Sequence, residues 1–460
     1  MDELIFASAI EQAKAIQAGQ VSSEELVSAC LRRIEAVNPI LNAVVQLAAD
    51  SALDAARAAD AALARGEAKG PLHGLPMTLK DSIDTAGIIT TAGTMGRKTF
   101  IPQEDATVAA RLKGAGAILL GKTNTPELTL YGETVNLVYG QTNNPYNPER
   151  IPGGSSGGAA AIVAAGGSAF DLGTDTGGSI RQPAHFCGVA GLKPTSGRVP
   201  RTGHIVSYEM GALDSLTTIG PLARSVADLY LIFSVLAGPD WRDPAMIPMP
   251  IGDPKAVDLK GLRAAFYTDN GIIAPTPEVA ETTKAAVSAL ADAGVITEEN
   301  RPEEVATTGS LWLQVATADG SAWVHRILKA AGTTETHPVL QRFISAEAIP
   351  SPDYTALLEE VDRVRSAMLG FLQNYDLIIC PVNAFPAMPH GQVSAKGDGY
   401  SYTRIYNMTG WPVVVVRCGT SDEGLPIGVQ VIARPWREDV ALAAAQRLEI
   451  TLGGWQRPVK

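Results

Sequence analysis

Gly153-Gly154-Ser155-Ser156-Gly157-Gly158, followed by Gly173-Thr174-Asp175-Thr176-Gly177-Gly178-Ser179-Ile180-Arg181-Gln182-Pro183, is the passage on which the fold turns. Composition alone reads both tracts as flexible Gly/Ser turns. Against that, apolar segments flank both tracts, Ala159 to Ala165 among them, and each tract holds polar groups at fixed places.

Outward from this passage the chain changes character twice. The stretch from Met1 to Arg65 reads as helices: Ser22-Ser23-Glu24-Glu25 has capping-box spacing ahead of Leu26, Val27 and Leu31, and Asp50 to Arg65 is Ala-rich. From about residue 70, short apolar runs alternate with helices. Thr107 to Lys113 reads as a helix, Ala117 to Leu120 as a buried strand, and Ser225 to Leu236 as a helix with Leu229, Ile232, Phe233 and Leu236 on one face. Five prolines between Pro239 and Pro254 mark a surface connection. Beyond it, Leu262 to Tyr267, Asp376 to Cys380, Val413 to Val416 and Ile427 to Ile432 read as strands, and Pro277 to Ala293 and Glu438 to Leu448 as helices. Near-continuous apolar strands alternating with helices predict a single large α/β domain with a mixed, mostly parallel sheet covered on both faces. Its parts would be a helical segment 1–65, a core 70–237 and a sheet-completing region 255–460 that also supplies substrate loops.

Composition narrows the function classes. Of 460 residues, 37 are Lys or Arg and 48 Asp or Glu, a net charge of −11 with no basic run. That is the wrong footprint for a nucleic-acid binder. A 46% hydrophobic and 18% charged chain supports a large core. The four cysteines (Cys30, Cys187, Cys380 and Cys418) form no CxxC pair, and no HExxH is present, so neither a disulfide framework nor a metal site is expected. The acidic start, Met1-Asp2-Glu3-Leu4, lacks a secretion signature, and no apolar run approaches the roughly 18–20 residues of a spanning helix. The expectation is a cytoplasmic protein without membrane contact.

Two motif-shaped stretches are decoys. Gly116 to Thr123 matches the phosphate-loop pattern, but its four middle positions, Ala117-Ile118-Leu119-Leu120, read as strand where a phosphate loop needs free backbone. Gly154 to Gly158 fits the G-x-S-x-G elbow with Ser156 as nucleophile. That elbow follows an apolar strand, and Asn143 to Arg150 is instead a turn-rich loop. Cys187 reads as a small core residue.

Taken with Gly74-Leu75-Pro76-Met77-Thr78-Leu79-Lys80-Asp81, the glycine tracts resemble the amidase signature family. The separations from Lys80 to Ser155, and from Ser155 to Ser179, are similar to those of the family's Lys, cis-Ser and nucleophilic Ser. The likeness extends through Gly121 to Asn124, Gly191 to Thr195, Asn407 to Pro412 and Gly428 to Gln430. The resemblance implies that Ser179 attacks a carbonyl and that Ser155, after a cis peptide bond, relays the proton to Lys80, a Ser–Lys variant of the triad. Lys80 must then be neutral, which burial favours. By the same resemblance the N–H groups of Thr176, Gly177, Gly178 and Ser179 form the oxyanion hole. Ser156 supports the site, and Asp175 and Arg181 read as a buried brace for the nucleophile loop, since buried charges must be paired.

The reaction expected is hydrolysis of a carbonyl C–N bond through an acyl-enzyme, with no metal or organic cofactor. The resemblance implies that the loop after Glu127 and the segment near 310–350 line the pocket, with Tyr131, Gly132, Trp312 and Phe343 as liners. The substrate would be a small amide, with carbamates or esters chemically accessible, and the chain a monomer or homodimer. Two alternatives stand beside this: the glutaminase subunit of a tRNA-dependent amidotransferase, and a non-catalytic binding module on the same scaffold.

Overall fold

The computed structural model describes residues 3–205 and 208–458. Met1 and Asp2 of the acidic start lie outside the described residues. Among the described residues thirteen strands form in chain order. The first five are β1 (Val44–Leu47), β2 (Pro76–Lys80), β3 (Ile118–Thr123), β4 (Val135–Asn136) and β5 (Gly140–Gln141). Then come β6 (Phe170–Asp175), β7 (Ala190–Lys193), β8 (Thr218–Ala223), β9 (Arg263–Phe266) and β10 (Ile296–Glu299). The last three are β11 (Leu377–Pro381), β12 (Val413–Thr420) and β13 (Pro426–Ala433).

Eleven strands make one sheet in the order β1-β3-β2-β6-β8-β7-β12-β13-β11-β9-β10, and β4 and β5 form a separate small hairpin. One sheet thus joins strands from both sides of the proline-rich connection. Every residue of β2, β6, β7, β8, β11 and β13 is buried, which requires cover on both faces. The sheet is mixed, as expected, though the antiparallel share exceeds the parallel. β2 pairs in parallel with β3 and β6, and β9 with β10 and β11, while the other six pairings are antiparallel. Both edges are short four-residue strands, and β10 is largely exposed and ends in Glu298 and Glu299, a charged edge that discourages further pairing.

The helical reading of segment 1–65 needs one change: β1 interrupts it and pairs antiparallel with β3. Helices Ala9–Gln17, Ser23–Leu41 and Ala49–Ala64 surround it. The expected capping box forms, with Ser22 Oγ accepting from the Glu25 N–H at 3.0 Å and the Glu25 carboxylate accepting from the Ser22 N–H at 2.8 Å. The phosphate-loop lookalike is strand: Ile118 to Thr123 are all in β3.

Three features place the site. β2 ends at Lys80, and its parallel neighbour β6 ends at Thr174 and Asp175, so two adjacent strands deliver these side chains from their carboxyl ends. Helix Gly157–Ala164 starts directly after Ser155 and Ser156 and is buried on every side. An all-apolar helix belongs in a core, and its small residues allow close packing: a Cβ on Gly158 would lie 2.4 Å from the Asn124 backbone N. Helix Arg181–Cys187, equally buried, starts two residues after Ser179.

The register of β8 against β7 is as tight. A Cβ on Gly220 would lie 2.0 Å from the Leu192 carbonyl oxygen. Gly220→Ala is therefore expected to destabilise the protein by about 1–3 kcal/mol. Gly370→Ala, at a helical position with nothing within 4 Å of the added Cβ, should hold or raise stability. Guanidinium unfolding of both variants checks this, and equal midpoints would refute the close approach.

Candidate active site

Lys80 is fully buried, and its Nζ lies within hydrogen-bond distance of three hydroxyls: Ser155 Oγ at 2.7 Å, Thr174 Oγ1 at 2.8 Å and Ser156 Oγ at 3.0 Å. Among the described residues no carboxylate forms an ion pair with it. Three neutral neighbours suit an uncharged amine, which has two N–H donors and one lone pair to accept a hydroxyl proton. Burial drives the Lys80 pKa well below the ordinary lysine value, against an opposing pull from Asp175 and Asp171.

The peptide bond between Gly154 and Ser155 is cis. Ser155 is buried, and Ser156 is held by the Thr174 N–H, which donates to its Oγ at 3.3 Å. The Ser156 N–H donates to the Ser179 carbonyl at 3.2 Å, tying the two glycine tracts together. Ser179 opens onto a pocket with about 820 Å³ of unfilled space, continuous with solvent. Gly154, Thr176, Gly177 and Gly178 share its lining.

One expectation about this loop is corrected. The Gly178 N–H donates to Asp175 Oδ1 at 2.8 Å, so it is not free to face an oxyanion. The N–H groups of Thr176, Gly177 and Ser179 have no protein acceptor among the described residues. Three of the four expected donors are therefore available.

Asp175 and Arg181 are fully buried and meet side by side, Nε to Oδ2 at 3.0 Å and Nη2 to Oδ1 at 2.9 Å. Asp175 also accepts from the Ile180 N–H at 3.0 Å and from Asn407 Nδ2 at 2.8 Å. Arg181 donates onward to the Thr403 carbonyl at 2.8 Å, to Gln430 Oε1 at 3.0 Å and to Asn407 Oδ1 at 2.5 Å. Burial alone would raise the Asp175 pKa, but the Arg181 charge and these hydrogen bonds reverse it and hold the carboxyl far below the usual range.

All four expected liners, Tyr131, Gly132, Trp312 and Phe343, reach the pocket. Trp312 is fixed there because its Nε1–H donates to the Thr176 carbonyl at 2.9 Å. A third wall was not expected: Val393, Ser394, Gly397, Tyr400 and Arg404. Tyr400 donates to the Gly132 carbonyl at 2.7 Å, and Thr403 to the Gly177 carbonyl at 2.6 Å. Of the residues sequence reasoning left without a role, Asn407 and Gln430 fall inside stretches that carry the family resemblance, which was the available signal. Thr174, inside the second glycine tract, shared that signal; Thr403 and Arg404 had none. Cys187 is buried, with its thiol pKa pushed up by burial.

The family model described as Amidase matches residues 25–442. The chain belongs to the amidase signature family. It is 36% identical to a Moorella thermoacetica protein named as a glutamyl-tRNA(Gln) amidotransferase subunit, over 97% of each chain. A solved structure of 6-aminohexanoate cyclic dimer hydrolase with substrate superposes with a TM-score of 0.89, at 28% identity and 99% coverage of both chains. A Thermotoga maritima glutamyl-tRNA(Gln) amidotransferase subunit superposes with a TM-score of 0.81, at 25% identity, covering 99% of this chain and 98% of that one. As an amidase signature enzyme the chain acts on carbon–nitrogen bonds. No helix among the described residues is long and apolar enough to cross a membrane.

The buried ion pair yields a test. Arg181→Met leaves the Asp175 carboxylate buried without its partner, an expected loss of about 3–5 kcal/mol. Because the folded pKa of Asp175 lies below its unfolded value of about 3.9, the pair's contribution is complete above that pH and is lost as pH falls through the folded value. The double variant Asp175→Leu/Arg181→Met should recover part of the thermal midpoint but no activity, since Gly178 and Ile180 lose their acceptor. A double variant with wild-type turnover would show that the brace is unnecessary.

Proposed function

We propose that the protein hydrolyses the C–N bond of small amides through a seryl acyl-enzyme, with Lys80, Ser155 and Ser179 as its catalytic residues. The observation that carries this reading is the buried Lys80 amine, in contact with three hydroxyls, beside a pocket into which Ser179 opens. Ser179 Oγ attacks the carbonyl carbon; its proton passes to Ser155 Oγ as Ser155 gives its own to Lys80 Nζ. The oxyanion of the tetrahedral intermediate faces the N–H groups of Thr176, Gly177 and Ser179. Collapse expels the amine, which takes the proton back from Lys80 through Ser155, and water then releases the acyl group by the same route. A carbamate presents the same carbonyl and the same oxyanion, so it is open to the same attack.

Pocket character supports a substrate without a free ammonium group. Tyr131, Trp312, Phe343 and Tyr400 give it aromatic walls, and no aspartate or glutamate lines it among the described residues. An ammonium group held there would be desolvated without a counter-charge.

The sequence comparisons favour a second reading, the glutaminase subunit of a tRNA-dependent amidotransferase, because 36% identity to a protein so named extends over 97% of this chain. On that reading the chain would release ammonia from glutamine and work with further subunits. The lack of an acidic pocket residue to meet the glutamine ammonium argues for the free-standing hydrolase.

Nitroaniline release from a matched acyl anilide and carbamate anilide separates the two. Ser179→Ala is expected to lower turnover about 10³-fold or more. Ammonia release from glutamine, with neither anilide cleaved, would establish the subunit reading. A serine-reactive fluorophosphonate should add its mass to the wild type but not to Ser179→Ala, and no adduct would leave a binding module.

The Lys80 role fixes the pH response. Only the neutral amine accepts a proton, so kcat/KM should fall about tenfold per pH unit below the Lys80 pKa. Since burial lowers that pKa, the fall begins at a lower pH than an ordinary lysine would give. A steady-state rate that stays flat into the acidic range would remove Lys80 from the mechanism.

A further inference from the structure

Among the described residues that line the pocket, Arg404 alone carries a charge. It is half-buried on the helix Ser401–Met408, whose neighbouring positions are pinned to the nucleophile loop by Thr403 on the Gly177 carbonyl and Asn407 on the Asp175 carboxylate. Its guanidinium carbon lies 5.3 Å from the centroid of the Trp312 ring, and its Nη1 donates at 3.5 Å to the Gly309 carbonyl. That ring is itself held by the Thr176 carbonyl and packs so closely on Gly177 that a Cβ there would lie 3.1 Å from its edge. The cation is therefore one side chain away from the loop that carries Ser179, and both ends of that contact are fixed.

Arginine stays charged throughout the working pH range, and its planar fork matches a carboxylate with two parallel hydrogen bonds. A ring engages the face of the guanidinium while a carboxylate engages its edge, so the Trp312 contact and a bound anion are compatible. A wall with a fixed cation and no acid favours anionic ligands and disfavours cationic ones. We propose that Arg404 sets substrate specificity by binding a carboxylate that the substrate carries at a distance from its scissile carbonyl. The preferred substrates are then amides with a remote carboxylate, such as half-amides of dicarboxylic acids. This rests on the hydrolase reading above and adds to it a substrate class.

Two sets of matched probes test the proposal. In one, the mono-4-nitroanilides of succinate, glutarate and adipate are compared with the neutral butanoyl, pentanoyl and hexanoyl 4-nitroanilides. In the other, the carboxylate sits on the leaving group, as N-hexanoyl-4-aminobenzoate against N-hexanoylaniline. The wild type should favour the anionic member of at least one set by about 10–100-fold in kcat/KM, mainly through KM, as a charge-assisted hydrogen bond provides. In Arg404→Leu that ratio should fall to about one, and Arg404→Lys should restore part of it. A residue that merely supports the fold would lower both members together and leave the ratio intact. No preference for the carboxylate in either set, or a ratio that survives in Arg404→Leu, overturns the proposal. Fluorophosphonate labelling of Ser179 without turnover of any anionic probe overturns it while leaving the serine hydrolase reading in place. No labelling at all removes that reading and this inference with it.

Discussion

The carboxylate of Asp175 accepts hydrogen bonds from the N–H groups of Gly178 and Ile180, from the guanidinium of Arg181 and from the amide of Asn407. Those bonds join the end of a central strand, the turn that carries Ser179, the start of the following helix and the distant helix Ser401–Met408. A fully buried carboxylate is tolerable only when charge and hydrogen bonds surround it, so the turn has one arrangement that satisfies it. The position of Ser179, and of the backbone N–H groups around it, follows from that demand. Gly178 gives up its N–H to the brace, and the three neighbouring donors are left pointing at no protein acceptor among the described residues.

The same pair also shapes the electrostatics around Lys80. Two aspartates act on the amine through space, and either could keep it protonated. Asp175 has its charge matched at contact by Arg181. Asp171 is pushed up to about 7 by burial, even though Thr78 and Thr123 donate to one of its oxygens at 2.6 and 3.0 Å. Its other oxygen is buried without a partner among the described residues. Near neutral pH, then, one aspartate is already paired and the other is substantially protonated. His204, whose pKa burial lowers to about 3, adds no positive charge there. Among the described residues the buried amine hydrogen-bonds to hydroxyls alone, the condition a proton acceptor needs.

The sequence made some of this legible and not the rest, for reasons that are local or tertiary. Lys80, Ser155 and Ser179 stand out because their spacing resembles that of the family, a spacing that strand ends and tight turns can hold fixed. The strand Val44–Leu47 is not legible because four residues between a capped helix and an Ala-rich one give too short a period to recognise. Strand direction is not legible in the sequence, because a strand buried on both faces reads alike whichever way its neighbours run. The resemblance gives the Gly178 N–H to the oxyanion hole, although an aspartate three residues earlier is a common local acceptor for a turn N–H. Nothing local could have brought Tyr400 and Arg404 to the pocket: they reach it because Arg181 and the Gly177 carbonyl hold the helix Ser401–Met408, which carries Arg404 and directly follows Tyr400.

The proposed reacting groups and their brace stand on different residues from the pocket walls, although the brace also holds the wall helix Ser401–Met408 in place. Lys80, Ser155, Asp175 and Arg181 are almost wholly buried: Lys80 meets the hydroxyls of Ser155, Ser156 and Thr174, while Asp175 and Arg181 bind each other, the turn before Arg181 and the helix Ser401–Met408. The walls come from three other stretches, around 129–132, 312–343 and 393–404, that meet at the pocket. Residues there can change without unpairing a buried charge, whereas a change at Asp175 or Arg181 leaves the other charge unpaired in the core. This accounts for relatives that share a superposable frame yet carry names as different as a cyclic dimer hydrolase and an amidotransferase subunit. Overall identity is dominated by the frame, so it reports the reaction class, while choice of substrate follows from the few side chains that stand on the walls.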